Sequence, residues 1–184
     1  MTETRFGLRK VTLALVPPEK DALSALFGVL KDCLDQGSVV LFISIRPYQN
    51  FKEEAKEIGF DIPKYLNQKQ LVIVDCLSDY VESTKESIQG LFYSPSPSDL
   101  TAIGNVSAQA MSLIGTHEKK FLILDSVSTF LLYNTSGGFL RFLHFLLSQL
   151  RALEFGATIL MARDNVPSKM VQVLKQYCDI TINL

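Results

Sequence analysis

The feature that most constrains the fold is a series of six short apolar runs alternating with longer amphipathic stretches. The runs are VTLALV (11–16), SVVLFISI (38–45), QLVIVDCLS (70–78), KFLILD (120–125), ATILMARD (157–164) and CDITINL (178–184). Short runs rich in β-branched residues are typical of strands that are buried on both faces. Strands that alternate with helices predict an α/β domain, in which helices cover both faces of a mostly parallel central sheet.

The stretches between the runs predict the helices and the domain organisation. The first helix is expected to begin at Pro18, with Glu19 and Asp21 in its first turn, and to end at Gly37. Further helices are expected over 49–59, after 97, over 137–156 and over 166–177. Residues 79–97 carry no regular pattern, so we expect an irregular connection there. We expect all 184 residues to form one domain.

The start of the helix after residue 97 has its own signal, in the segment SPSPSDL. Ser96 is expected to cap this helix, Pro97 to take its first position and Asp99 to bond back to the cap.

Composition excludes several classes of partner. The net charge is -1 and no run of Lys or Arg occurs, so nucleic acid is not an expected ligand. Three distant cysteines without a C-x-x-C pair favour reduced thiols in a cytoplasmic protein over a disulfide framework or a metal site. The N-terminus is too polar for a signal peptide, and the most apolar segment, GFLRFLHFLLSQL, is interrupted by polar residues and too short to span a bilayer.

Two carboxylates stand where strands are predicted to end. Asp75 and Asp125 both fall at carboxyl ends, the edge of a parallel sheet where ligands usually bind. We interpret Asp75 as a cap of its own strand end. Asp125 is either an acid linked to a metal ion or a cap of its own turn, with bonds to nearby backbone N–H groups or to Ser126 and Ser128. Arg46 either pairs with one of these carboxylates or lies at the surface.

The order of these elements, together with LILDSVSTFLLYN, resembles the RecA-type ATPase core, and within it the KaiC-like domains, particularly archaeal ones. The segments QLVIVDCLS, SPSDLTAIGNVSAQA and YCDITINL resemble the matching parts of that family, and the resemblance covers nearly the whole chain. It implies a three-layer RecA-like fold. Active members bind ATP and Mg²⁺ between subunits, usually in a ring, and the resemblance makes Asp125 the Walker B acid.

The chain departs from the family at two places. Where a glycine-rich phosphate loop should follow the first strand, it reads ALVPPEKDALSA, with no glycine in the loop and with two prolines that lack N–H donors. Where the family places paired glutamates after the second strand, it reads ISIRPYQN. Arg46 and Pro47 stand there, and neither can act as a general base at neutral pH.

These departures predict a non-catalytic pseudo-ATPase that acts in protein interaction, signalling or regulation, with no catalytic residue, no metal site and no cofactor. A first alternative is a nucleotide-binding protein in which Lys20, Arg46, Asp125 and Ser126 form a non-standard site for ATP and Mg²⁺. A second alternative is a receiver-like domain with a phosphoacceptor aspartate at a strand end. No G-x-S-x-G motif surrounds any serine, and both histidines are isolated.

The helix over 139–154 supplies the candidate interface. Arg141, His144, Ser148 and Arg151 fall on one stripe of it, beside an unusually wide apolar arc. We expect the arc to be buried, with a contact to a protein partner or to a second copy as the alternative. The partner cannot be named from the sequence.

Overall fold

A computed structural model describes residues 9–184 of the protein and, for Asn165, the backbone alone. The strands are β1 (Val11–Val16), β2 (Val39–Ser44), β3 (Leu71–Asp75), β4 (Leu91–Tyr93), β5 (Lys120–Asp125), β6 (Gly156–Ala162) and β7 (Ile180–Asn183). The helices are α1 (Ala22–Asp35), α2 (Tyr48–Glu57), α3 (Ile62–Asn67), α4 (Leu100–Ile114), α5 (Val127–Tyr133), α6 (Ser136–Ala152) and α7 (Ser168–Tyr177).

The seven strands form one sheet in the order β4-β3-β2-β5-β6-β1-β7, and every neighbouring pair is parallel. The predicted α/β class is therefore confirmed, and the pairing is more uniform than the expected mostly parallel sheet. A receiver-like domain has the strand order 2-1-3-4-5. The observed order differs from it, so the receiver-like alternative is wrong.

Helices cover the sheet on both faces, as predicted. On one face α1, α2 and α3 pack on the sheet around Leu30, Phe42 and Phe51, and on the other face α4 to α7 pack around Phe130 and Leu143. These five side chains are almost completely buried. Since a parallel sheet buries both of its faces, β1, β2, β3 and β5 read as continuous apolar runs in the sequence.

The first helix begins later than predicted. Residues 17–20 form a turn closed by the Lys20 N–H on the Pro17 carbonyl, which places Pro18 at the second turn position, where its fixed φ is favourable. Asp21 then caps α1 by accepting from the backbone N–H groups of Leu23 and Ser24. Five residues therefore separate β1 from α1, and the predicted start at Pro18 is wrong.

Between β3 and α4 three further expectations change. Residues 79–97 contain the short strand β4, so the segment is not wholly irregular. The cap of α4 is Asp99, which accepts from the Ala102 N–H, whereas the hydroxyl of Ser96 bonds to that of Ser98. The predicted cap at Ser96, with Pro97 in the first position, is therefore wrong. Helices α3 and α5 were not predicted either, although Asp61 caps α3 and Pro63 lies in its first turn.

Within the described part of the chain, no helix combines the length and the apolar character that crossing a bilayer requires.

Candidate functional site

The two strand-end carboxylates lie on either side of one serine. In the sheet, Ser44 at the end of β2 is in register with Asp75 of β3 on one side and with Asp125 of β5 on the other. A cis peptide bond joins Asp125 to Ser126. The sequence therefore correctly places both carboxylates, with Arg46 two residues beyond Ser44, at one edge of the sheet.

Asp75 is fully buried and is satisfied by its surroundings. One carboxylate oxygen accepts from the N–H groups of Leu77 and Ser78 over 2.9 and 2.8 Å. The other accepts from the Tyr48 N–H over 2.7 Å and from the Ser78 hydroxyl over 2.5 Å. The interpretation of Asp75 as a strand-end cap is confirmed. The same side chain also supplies a negative charge to the N-terminus of α2, which begins at Tyr48.

Asp125 is satisfied by Arg46. The Nε of Arg46 donates to Oδ2 of Asp125 over 3.0 Å, and the exposed fractions of the two side chains are 30% and 7%. The turn-capping interpretation of Asp125 is wrong, because the Ser126 hydroxyl bonds instead within its own turn, 3.0 Å from that of Ser128 and 3.3 Å from that of Thr129. Of the alternatives for Arg46, the structure contains the pair with Asp125.

Arg46 is held in place by further contacts. Its Nη1 lies 3.5 Å from Oε2 of Glu54 on α2. The Ser44 hydroxyl accepts from the Arg46 N–H over 3.1 Å and lies 3.2 Å from the Arg46 carbonyl oxygen, to which it can donate. Burial raises the pKa of Asp125 above its ordinary value, and the charge and hydrogen bond of Arg46 partly offset that rise. The pair is thus a buried carboxylate with a single, partly exposed counter-charge.

The family resemblance implies ATP and Mg²⁺, with a phosphate cradle in the loop after β1. Asp21 occupies the N-terminus of α1, and hydrogen bonds from Ser24, with a smaller contribution from the charge of Arg46, lower its pKa. A carboxylate stands where a phosphate would need N–H donors and positive potential. Together with the guanidinium at Asp125, this arrangement does not fit ATP and Mg²⁺.

Lys20 is the remaining member of the predicted nucleotide set. It is exposed at the end of the turn 17–20, and no hydrogen bond or ion pair among the described residues joins it to Arg46, Asp125 or Ser126. Apart from the peptide bond between Asp125 and Ser126, the one contact that the described structure shows among the four predicted residues is the pair of Arg46 with Asp125. Among residues 9–184, no group of three or more His, Cys, Asp or Glu side chains is placed to hold a metal ion.

Glu86 organises the long connection between β3 and β4, and sequence reasoning missed it. Its carboxylate accepts from Lys52 and Gln49 of α2, and its backbone N–H and carbonyl both bond to the hydroxyl of Tyr93. These bonds lower the pKa of Glu86, chiefly through Lys52. A charge in a polar loop gives no sequence signal for such partners, because they lie on another helix and strand.

The stripe on α6 is exposed, but three of its four residues make contacts within the chain. His144 packs edge-on against Tyr177, and Arg151 donates to the Tyr177 carbonyl over 2.8 Å. Ser148 donates to the carbonyl of His144, one turn earlier. Arg141 lies beside a groove between α4 and α6 of about 340 Å³, with the half-exposed ring of Phe145 in the same groove.

Burial of the apolar arc on α6 is confirmed for most of its members. Six side chains are buried: Phe139, Phe142, Leu143, Leu146, Leu147 and Leu150. Leu140 is half-buried, whereas Leu153 at the end of the helix is 45% exposed. The width of the arc thus reflects mainly the depth at which α6 packs on the sheet.

Many solved structures share this fold, among them the following three. Uncharacterized protein PH0321 from Pyrococcus horikoshii, determined in complex with an unknown peptide, aligns with a TM-score of 0.69 and 19% identity over 95% of this chain and 77% of that one. KaiC-like protein PH0186 from Pyrococcus horikoshii OT3 aligns with a TM-score of 0.68 and 17% identity over 97% and 74%. The flagellar accessory protein FlaH from Methanocaldococcus jannaschii aligns with a TM-score of 0.65 and 15% identity over 97% of this chain and 72% of that one. At these identities the likeness establishes a RecA-like fold.

No curated protein sequence matches the chain significantly. The family model described as "ATPase: KaiC" matches residues 20–184, which include the strand-end pair, both covered faces of the sheet and the stripe on α6. The chain belongs to the KaiC family of ATPases.

Proposed function

We propose that this chain is a non-catalytic member of its family, which acts through protein contacts in regulation or signalling rather than through ATP hydrolysis. The observation that carries the proposal is the Arg46 guanidinium at the carboxylate of Asp125, 3.0 Å from Oδ2. The resemblance makes this carboxylate the acid that would hold the metal. A fixed positive charge there opposes the approach of a divalent cation.

The loop after β1 supports the same proposal from a separate position. Two prolines remove N–H donors, and Asp21 already satisfies the first turn of α1. An incoming phosphate would meet the exposed Asp21 carboxylate, and like charges repel. Arg46 and Pro47 also stand where the family has its glutamate pair, which leaves no general base at that position.

A phosphate-release assay tests the absence of catalysis. Purified protein with ATP and Mg²⁺ is expected to release phosphate at the rate of a buffer blank, and the Asp125→Ala variant is expected to be indistinguishable from the unaltered chain. Release well above the blank that is lost in Asp125→Ala would overturn the proposal, because the loss would assign the activity to this protein rather than to a contaminant.

The contact itself is proposed to involve a protein partner or a second copy of the chain. Two observations support it: the exposed part of the α6 stripe, with Arg141 beside the half-exposed Phe145, and the unknown peptide in the PH0321 crystal. Light scattering over a range of concentrations tests self-association. A mass that rises with concentration and falls again in Phe145→Glu supports it, and a constant monomer mass contradicts it.

The cysteines favour a cytoplasmic location. Cys33, Cys76 and Cys178 are free thiols, and no disulfide joins any of them within the described chain. Unpaired cysteines are typical of proteins that work in a reducing compartment.

A further inference from the structure

We infer that Arg46 serves as a resident cation, which occupies the Asp125 carboxylate and keeps divalent metals away from it. The inference rests on the proposed function and goes beyond it. Arg46 takes the place of the metal, and its removal should open the carboxylate to metal ions even without nucleotide.

The guanidinium lies between two carboxylates. Nε donates to Asp125 over 3.0 Å, and Nη1 lies 3.5 Å from Oε2 of Glu54. Asp125 is the buried partner, with 7% of its side chain exposed, so water offers little alternative solvation. A metal ion that approached Asp125 would meet the charge of the guanidinium at Oδ2, and binding to that oxygen would require displacement of the guanidinium, which would leave Glu54 without this counter-charge.

The backbone fixes the position of this cation. Ser44 is in register with Asp125, the Ile45 N–H donates to the Asp125 carbonyl over 3.3 Å, and Ser44 holds the Arg46 N–H. Arg46 therefore follows, by only two residues, the sheet position that lies in register with Asp125. A tethered group of this kind acts at an effective concentration on the order of millimolar or higher, with which a free cation must compete.

The groups that the guanidinium covers are hard oxygen ligands. Without it, Asp125 and Glu54 would contribute their carboxylates, and water would supply the remaining ligands. Oxygen ligands of this type suit Mg²⁺ and Mn²⁺. Removal of the charge of Arg46 should therefore turn an internal ion pair into a weak site for divalent metal.

The test is a titration with Mn²⁺ alone, in which free Mn²⁺ is measured by its electron paramagnetic resonance signal. Arg46→Met removes the charge and keeps most of the length of the side chain. We expect Arg46→Met to bind one Mn²⁺ at least about tenfold more tightly than the unaltered chain, a difference of about 1.4 kcal/mol. The double variant Arg46→Met with Asp125→Asn should lose this gain, and Arg46→Lys, which retains the charge, should show none.

Circular dichroism and thermal unfolding confirm that each variant is folded, and Arg46→Gln replaces Arg46→Met should the latter fail to fold. A folded, charge-free variant that binds Mn²⁺ no better than the unaltered chain overturns the inference. So does an unaltered chain whose Mn²⁺ binding is lost in Asp125→Asn. Failure of the proposed function would be seen separately, as binding or hydrolysis of ATP by the unaltered chain.

Discussion

The Nε of Arg46 donates to Oδ2 of Asp125 over 3.0 Å and joins two residues that are 79 positions apart in the chain. This bond connects the segment after β2 to the end of β5, while Asp75 on the other side of Ser44 is satisfied by backbone N–H groups and a serine hydroxyl. The two aspartates thus flank the same serine but are stabilised differently, Asp75 by neutral hydrogen-bond donors and Asp125 by a counter-charge.

Loss of the counter-charge should destabilise the fold. Arg46→Met leaves the buried Asp125 carboxylate unpaired, so we expect the free energy of unfolding at about pH 7 to fall by about 2 kcal/mol, the range for hydrogen bonds to charged groups. Urea unfolding measures this loss of free energy. Lys31→Met is the matched control, because it removes an ion pair with Asp35 that is exposed on both sides, and it should change stability little. Equal losses in the two variants would contradict a special role for Arg46.

The cost of Arg46→Met should depend on pH. Burial already raises the pKa of Asp125, and removal of Arg46 raises it further, because the charge and hydrogen bond that oppose the rise are lost. A carboxylate whose pKa is higher in the folded than in the unfolded state stabilises the fold increasingly as the pH falls through the folded pKa. The stability gap between variant and unaltered chain should therefore narrow from about pH 7 to about pH 5. A difference in free energy of unfolding that widens over this range, measured by urea titration, would contradict the pairing of Arg46 with Asp125.

The two aspartates should respond differently to amide substitution. Asp75→Asn places an NH₂ group among four donors, so we expect a loss of about 3 kcal/mol in the free energy of unfolding. Asp125→Asn removes a buried charge whose burial is costly and releases a guanidinium that is 30% exposed, so its loss should be smaller. Urea unfolding of both variants side by side gives the ranking. The reverse order would show that the Arg46 pair, not the Asp75 cap, is the main stabilising element at this edge.

Glu86 should control the order of the connection between β3 and β4. Glu86→Gln weakens the bonds to Lys52 and Gln49 of α2, so the amides of residues 79–89 should exchange faster with deuterium, while those of β3 stay protected. Glu82→Gln is the control in the same connection, since Glu82 is exposed. Unchanged exchange in Glu86→Gln, or equal acceleration in both variants, would show that other contacts hold the segment.

The cysteines should be unreactive in the folded protein. Burial raises the pKa of Cys33 and of Cys178 to about 12 and that of the fully buried Cys76 upward as well, so almost no thiolate is present near neutral pH. Iodoacetamide at about pH 7.5 should leave all three thiols unmodified by mass spectrometry, with the half-buried Cys178 the first to react on longer exposure. The protein unfolded in urea is the control. Rapid modification of any one thiol in the folded protein would contradict its burial.

Periodicity predicted the fold well because it reports burial. Each of the six apolar runs contains a strand, and the parallel α/β architecture follows from their alternation with helices. What the pattern could not give were the short elements α3, α5 and β4, which bury too few residues to produce a period, and the start of α1. There the turn of residues 17–20 and the Asp21 cap compete with the helix-starting preference of Pro18.

The site was predictable in position but not in pairing. Strand ends placed Asp75, Asp125 and Arg46 at one edge, since parallel strands share a direction. Which carboxylate Arg46 contacts depends on strand order. Ser44 is in register with both aspartates, one on each side, so its position does not favour either of them. The Asp75 carboxylate already accepts hydrogen bonds from the Tyr48 N–H and from the turn after β3, whereas the guanidinium of Arg46 pairs with Asp125. Neither fact is encoded in local sequence.

The central claim is that this chain does not use Mg-ATP, and isothermal titration calorimetry tests it most directly. The unaltered chain and Asp125→Ala are titrated with ATP in the presence and absence of Mg²⁺. We predict no saturable heat in any of these titrations. Stoichiometric, magnesium-dependent binding at micromolar affinity (about -8 kcal/mol) that disappears in Asp125→Ala would contradict the account.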